Sequence, residues 1–166
     1  FPKSFWAYTD KAKIYLSQFS EAQAALKRAK TNLSDDKIKA GIFLTTTPNL
    51  EEVAKMIATS WEKLGINVKL RVESGIPQNF QALLITQSIP QDPDQYFLWH
   101  STQTKTNLSG YSSECCPQSA RVDKDLEDGR KALTEEERKE KYHDFQKTLM
   151  EDVPATFLYF PKYNIV

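Results

Sequence analysis

The chain has 166 residues, the size of one ordinary domain, which buries roughly 70% of the surface its unfolded form exposes. Lysine plus arginine equals aspartate plus glutamate at 22 each, which argues against a nucleic-acid footprint or an electrostatic membrane anchor. No apolar run is long enough to span a bilayer, and no charged-then-apolar leader is visible. The sequence therefore reads as mature or internal, with any export signal expected upstream of Phe1.

Residues 1–19 read as an opening segment, extended in part. Ser20 opens a predicted helix to about Thr31, with Gln23 as its capping-box partner. Ile38 to Thr45 reads as a strand, bounded by Asp35-Asp36 and by Thr47-Pro48. Asn49 can cap the next helix, and Glu52 falls where a capping-box acid belongs. Leu50, Val53, Ala54, Ile57, Trp61 and Leu64 then repeat at helical spacing. They predict a helix over 50–64 with Trp61 buried against a sheet. Gly65 suits the left-handed position after it. Ile66, Val68, Leu70 and Val72 alternate with polar residues and predict a half-buried strand over 66–73. Gly75-Ile76-Pro77 is a break, and Phe80 to Thr86 reads as a short buried strand. Residues 87–120 are rich in Pro, Ser, Thr and Gln and read as loop. Two helices follow, Arg121 to Leu133 and Thr134 to Val153. The second carries a Thr134/Glu137 capping box and a Tyr142, Phe145, Leu149 face. Pro154 stops it, and Ala155 to Phe160 reads as a buried strand. Strands separated by helices predict an α/β fold, here one domain over 1–166 with a mixed sheet flanked by helices.

The segment from Thr86 to Ser101 is the best site candidate, because open α/β sheets place ligand loops after a buried strand. Thr86, Gln87, Ser88, Ile89, Asp92, Asp94, Gln95, Trp99 and His100 are its candidate ligand-binding residues, with Tyr111 beyond it. Amides and hydroxyls can bond a peptide or sugar backbone, and an aromatic ring can cover an apolar face. The other reading of Asp92-Pro93-Asp94 is a turn whose carboxylates cap backbone amides. Some of Tyr96, Phe97 and Trp99 must likewise fill core. His100-Ser101 are neighbours, which rarely form a nucleophile–base pair, and His143 reads as a solvated helix residue. No Gly-x-Ser-x-Gly, phosphate-cradling Gly-rich loop or His-Glu-x-x-His is present, so no catalytic residue, metal ligand or cofactor is assigned. Cys115 and Cys116 are adjacent and fail the spacing of a zinc site. A bond between neighbours would close a strained ring, so inert or loosely oxidised loop thiols without a redox role are expected there rather than a structural staple.

Several segments carry a resemblance, in a consistent order. They are Phe1-Pro2-Lys3-Ser4-Phe5-Trp6-Ala7-Tyr8, Ser20-Glu21-Ala22-Gln23-Ala24-Ala25-Leu26, and Trp61 followed, after three intervening residues, by Gly65-Ile66-Asn67-Val68. Asp92-Pro93-Asp94-Gln95-Tyr96 comes next. The tail runs through Val122-Asp123-Lys124, Gly129-Arg130-Lys131, Arg138-Lys139, Tyr142, Phe145-Gln146 and Val153-Pro154-Ala155-Thr156-Phe157-Leu158-Tyr159. Together they resemble the family 5 extracellular solute-binding proteins, the peptide-binding and related receptors of ABC importers. The resemblance implies the C-terminal, second lobe of a two-lobed, periplasmic-binding-protein-like receptor that binds without catalysis and needs no cofactor. It implies as partners a peptide or other small solute, a first lobe of the same protein, and an ABC permease in the membrane, with no nucleic acid. The implied location is extracytoplasmic, in the periplasm or on the outer face of the membrane as a lipoprotein. The first and last segments should then lie close together at one edge.

The chain departs from that family at two places. Peptide-binding members usually carry an acid three positions before the first Asp of Asp-Pro-Asp, which pairs with the ligand's ammonium. Here that position is Ile89, with Ser88 beside it, and neither can pair with a cation. Either the anchor has moved or the ligand lacks a free α-amine. Glu114 to Ala120 reads as an insertion relative to the family. Two other readings stand beside the transport one: an autonomous interaction or scaffold domain, and a hydrolase using His100 with Asp92 or Asp94.

Overall fold

The computed structural model describes residues 1–15, 18–75, 79–105 and 107–161. The chain divides into two compact units, one of Leu16–Ser88 and one of Phe1–Tyr15 with Ile89–Val166. No described helix is long and apolar enough to cross a membrane.

The first unit is a small α/β layer. Helix α1 (Phe19–Lys30) begins one residue before the expected Ser20, and no side chain caps it. Helix α2 (Asp35–Ala40) occupies the start of the predicted 38–45 strand. Ser34 accepts from the Lys37 amide and Asp35 and Asp36 sit in the first turn, so the local capping chemistry wins over the apolar alternation. Gly41 ends this helix at φ 73°. A Cβ there would lie 2.2 Å from the Asn67 carbonyl oxygen, which itself accepts from the Ile42 amide at 2.8 Å. Strand β1 (Ile42–Thr46) then enters the sheet.

Helix α3 (Glu51–Lys63) follows a single 3₁₀ turn, Pro48–Leu50. Asn49 does not cap it: its side-chain oxygen accepts from the Thr47 hydroxyl instead, at 2.6 Å. The chain leaves α3 through Gly65 in the left-handed region, as expected. The Gly65 and Ile66 amides reach back to the Glu62 and Trp61 carbonyls, closing the helix end. Trp61 is half-buried rather than fully buried; Ala54 is the buried residue of α3. Strands β2 (Val68–Val72) and β3 (Ala82–Leu84) flank β1 in the order β2-β1-β3, and both pairings are parallel. The expected mixed sheet is therefore a parallel one among the described residues. The α3 crossover returns the chain to the same end of the sheet, which imposes the parallel sense on β1 and β2. Of the expected 75–77 break, Ile76 and Pro77 lie outside the described residues.

The second unit is built on an antiparallel-type helix pair, α5 (Ser119–Lys131) and α6 (Glu135–Asp152), preceded by the short helix α4 (Tyr96–Trp99). The predicted capping box forms in full: the Thr134 side chain accepts from the Glu137 amide, and Glu137 accepts from the Thr134 amide. Val122 and Leu126 of α5 meet Tyr142, Phe145 and Leu149 of α6, and Ala7, Trp99, Tyr111 and Cys116 complete the core. Full burial of each such large side chain is worth about 1.5–3 kcal/mol. Gly129 allows the helices to approach, since a Cβ there would stand 3.0 Å from the Tyr142 ring. Gln146 donates to the Ala7 carbonyl at 2.8 Å and ties the opening segment to α6.

Three expectations fail in this unit. Residues 155–160 form no strand, and Phe157 to Phe160 are exposed, because the described residues of their own unit include no strand for them to pair with. His143 is half-buried rather than solvated, and that burial holds its imidazole below the usual range. Cys115 and Cys116 are joined in a disulfide. Adjacency evidently does not prevent the bond. The expected meeting of the first and last segments falls partly outside the described residues, since 162–166 are not among them.

Candidate functional site

Thr86, Gln87 and Ser88 leave β3 as an exposed stretch of the first unit. Gln87 donates to the Ser88 carbonyl at 3.3 Å, a weak local bond that leaves its carbonyl oxygen free for a ligand. Ile89 begins the second unit's share of the segment and is also exposed, with no carboxylate at its position.

From Pro93 onward several side chains turn inward, Trp99 and His100 among them. Pro93 is fully buried, and the carboxylates on either side of it act twice each. Asp92 accepts from the Asp94 amide at 2.9 Å, and Asp94 from the Tyr96 amide at 3.0 Å. Those bonds form the turn that the Asp-Pro-Asp spacing suggested. Each acid also receives an arginine. Arg138 reaches both oxygens of Asp92 at 2.9 and 2.8 Å. Arg130 reaches one oxygen of Asp94 with two nitrogens, at 2.8 and 2.6 Å. The Arg138 bond, above all, holds the Asp92 carboxyl below the usual carboxylate range.

The arginines order the next residues as well. The Arg130 guanidinium lies 3.9 Å from the Tyr96 ring centre, and Tyr96 stacks on His100 at 4.0 Å. His100 is only 4% exposed. Its Nδ1 accepts from the Thr102 amide, capping the 3₁₀ turn Ser101–Gln103, and its Nε2 lies 3.4 Å from Glu127. Asp123 accepts from the Ser101 amide at 2.7 Å and its hydroxyl at 2.5 Å. The Ser101 hydroxyl is thus turned to a carboxylate, away from an imidazole base. Gln95 is half-buried and donates to the Asp94 carbonyl at 3.3 Å.

Trp99 and Tyr111 are core residues in edge-to-face contact, their ring centres 6.1 Å apart. The Tyr111 hydroxyl donates to Asp152 at 2.7 Å, and Asp152 also accepts from the Gln118 amide. Burial first, then Asp152, raises the Tyr111 phenol well above its ordinary value. Of the residues singled out from sequence, Thr86, Gln87, Ser88 and Ile89 therefore present themselves to solvent. Asp92 and Asp94 are tied to arginines, and Trp99, His100 and Tyr111 are buried in the second unit.

Of the partners of these residues, Asp123, Arg130 and Arg138 entered the sequence reading only as words of the family resemblance, and Asp152 not at all; none was singled out as a site residue. The available signal was two acids two residues apart, each needing a cation, and two arginines in the tail. Trp6 was also missed as a surface contributor. With Gln91, Asp92, Leu133, Thr134 and Arg138 it lines an open groove of about 460 Å³ in the second unit. Its indole donates to the Gln91 carbonyl at 3.4 Å. Among the described residues, no cluster of three or more His, Cys, Asp or Glu is placed to hold a metal ion.

No family model matches the chain. A curated relative does: the oligopeptide-binding protein AppA of Bacillus subtilis is 30% identical over 120 residues, which is 67% of this chain and 21% of that protein. The structure of AppA in complex with a nonapeptide superposes with a TM-score of 0.80 at 25% identity, over 96% of this chain and 35% of that one. NikZ from Campylobacter jejuni, in complex with Ni(L-His), gives a TM-score of 0.74 at 24% identity, over 90% of this chain and 33% of that one. The periplasmic binding protein DppA of Helicobacter pylori, in complex with the peptide STSA, gives 0.70 at 22% identity, over 92% and 31%. The last two establish fold alone. The chain is thus similar to a section, about a third, of these longer proteins.

Proposed function

We propose, from this kinship with one section of the peptide-binding receptors, that the chain is the second lobe of a family 5 solute-binding protein and acts without catalysis. The observation that carries the reading is the AppA match: one alignment in sequence and one in fold, the latter running over 96% of the chain. The proposed ligand is a peptide or a related small solute, because the similar proteins hold a nonapeptide, the peptide STSA or a nickel–histidine complex. Thr86, Gln87, Ser88 and Ile89 supply the exposed polar and apolar contacts of this lobe. The paired acids Asp92 and Asp94 hold the Asp-Pro-Asp turn of the second unit. Capture then works by closure of two lobes about a hinge, with the solute buried between them. The exposed Phe157–Phe160 run pairs or packs against the other lobe in this proposal. Delivery is to an ABC permease, and the site of action is extracytoplasmic. A scaffold role for the same fold is favoured only if the coding sequence around the chain holds no partner lobe.

The test is to purify the intact protein whose coding sequence contains this chain and to titrate it by calorimetry with di- to nonapeptides. Mass spectrometry of solvent-extracted protein would show what co-purifies. Peptide binding at micromolar concentration or tighter is the expected result. An intact two-lobed protein that neither binds nor retains a peptide or other small solute would remove the reading.

A further inference from the structure

The structure assigns a thiol-exchange site to the Cys115–Cys116 disulfide, with low-molecular-weight thiols as the co-reactant and Cys115 as the sulfur attacked. Nothing in the proposed solute capture uses this pair. It lies in the 114–120 segment, between the buried Tyr111 and the first turn of α5.

The two halves of the bond have different surroundings. Cys115 is exposed, whereas Cys116 is 6% exposed and belongs to the core formed with Val122, Leu126 and Leu149. Cys116 is also fixed by its backbone: its amide donates to the Ser112 carbonyl at 3.2 Å, and its carbonyl accepts from the Ser119 amide at 3.0 Å. An incoming thiolate must approach a sulfur from outside along the S–S direction, and exchange rate follows access. Cys115 is the solvent-exposed residue of the pair, with its Sγ accepting from the Ser112 amide at 3.4 Å, so attack is assigned to its sulfur and Cys116 is the leaving group.

The chemistry balances. A thiolate RS⁻ attacks Cys115 Sγ, the Cys115–Cys116 bond breaks, and Cys116 leaves as a thiolate that takes a proton from water. The product is a mixed disulfide Cys115–S–SR and a Cys116 thiol. A second thiolate attacks the outer sulfur of the mixed disulfide and releases RSSR and the Cys115 thiolate, so two thiols are oxidised as one protein disulfide is reduced. Cys116 can equally attack Cys115 Sγ and expel RS⁻. The adjacency of the two sulfurs keeps that reverse step intramolecular and fast.

Glutathione is the probe. The full 166-residue chain is incubated with it in native buffer, quenched with acid, alkylated, and mapped by peptide mass spectrometry. The expected product carries glutathione on Cys115 and an alkylated thiol on Cys116. In the variants, Cys116→Ser should leave a Cys115 thiol that iodoacetamide labels readily in native buffer. Cys115→Ser should leave a Cys116 thiol labelled roughly tenfold more slowly or worse until denaturant is added. Circular dichroism checks that each variant is folded, and if either is not, the map of the wild-type adduct decides alone. Glutathione on Cys116, a pair that reacts only after denaturation, or two free thiols in the protein before any reductant is added would each overturn the assignment.

Discussion

Asp92 and Asp94 show how two acidic residues can serve a fold rather than a ligand. Each accepts from one backbone amide and one arginine, so neither is free to meet a cation from solution. Arg138→Ala should cost about 1 kcal/mol at neutral pH, a modest figure because Asp92 is more than half exposed and solvent screens the pair. The sign with pH follows from the lowered folded-state value of Asp92. Its contribution is present above the unfolded carboxyl pKa of about 3.9 and is lost as pH falls through the folded value. Urea unfolding at pH 7 and pH 3 should therefore show a shallower acid loss in the variant; an identical acid limb would refute the pairing. Tyr111 has the opposite dependence. Its folded-state value is raised by burial and by Asp152, so its contribution is complete below about pH 10 and disappears as pH rises beyond. Tyr111→Phe should lose about 1.5–3 kcal/mol at pH 7, the range for a hydrogen bond to a charged group. The variant should also lack part of the alkaline destabilisation seen in the parent between pH 9 and pH 11 (roughly one unit either side of the tyrosine reference). A variant with unchanged unfolding midpoint at pH 7 would show that the Asp152 bond carries no stability.

At the scale of elements, local chemistry explains which expectations held. The α6 start was legible because a capping box lies within four residues, and Thr134→Ala should cost about 1 kcal/mol in thermal or urea unfolding. The close of α3 at Gly65 was legible for the same reason. The start of α3 was not, because Asn49 has a nearer partner in Thr47 and the chain makes a 3₁₀ turn first. Helix α2 was missed where Ile38 and Ala40 imitate a strand, and Ser34 with two acids decides for helix. The 155–160 run has the composition of a buried strand, but composition does not supply an edge to pair with. Gly41 was not singled out at all, since nothing in sequence places Asn67 against it. Gly41→Ala should destabilise the first unit by about 1–3 kcal/mol or more, from positive φ and from the 2.2 Å approach to the Asn67 oxygen. Wild-type thermal stability in that variant would mean the α2–β1 junction is built otherwise.

At the scale of the whole molecule, the α/β class and the kinship were legible from words of sequence spread along the chain, while the candidate site was legible only as a segment. Trp99, His100 and Tyr111 have the chemistry of ligand contacts, and only three-dimensional packing shows them buried. Ile89 is different, because its position can be tested by function. If this lobe meets its solute from one side, the 166-residue chain alone leaves the other side in water. Each 1.4 kcal/mol of lost contact weakens binding about tenfold, so the isolated chain should show no submicromolar binder in a di- to pentapeptide library. Ile89 is exposed and aliphatic, and it stands where the resemblance places an acid for the peptide ammonium. Ile89→Asp in the intact protein should therefore tighten peptides with a free α-amine by about ten- to a hundredfold, the range for a charge-assisted hydrogen bond. N-acetylated versions of the same peptides should gain nothing, which separates the ammonium pairing from a general change in the loop. Equal gains for both kinds of peptide would show that residue 89 does not face the amine. Tight binding of free-amine peptides by the parent protein would show that the anchor has moved to another acid.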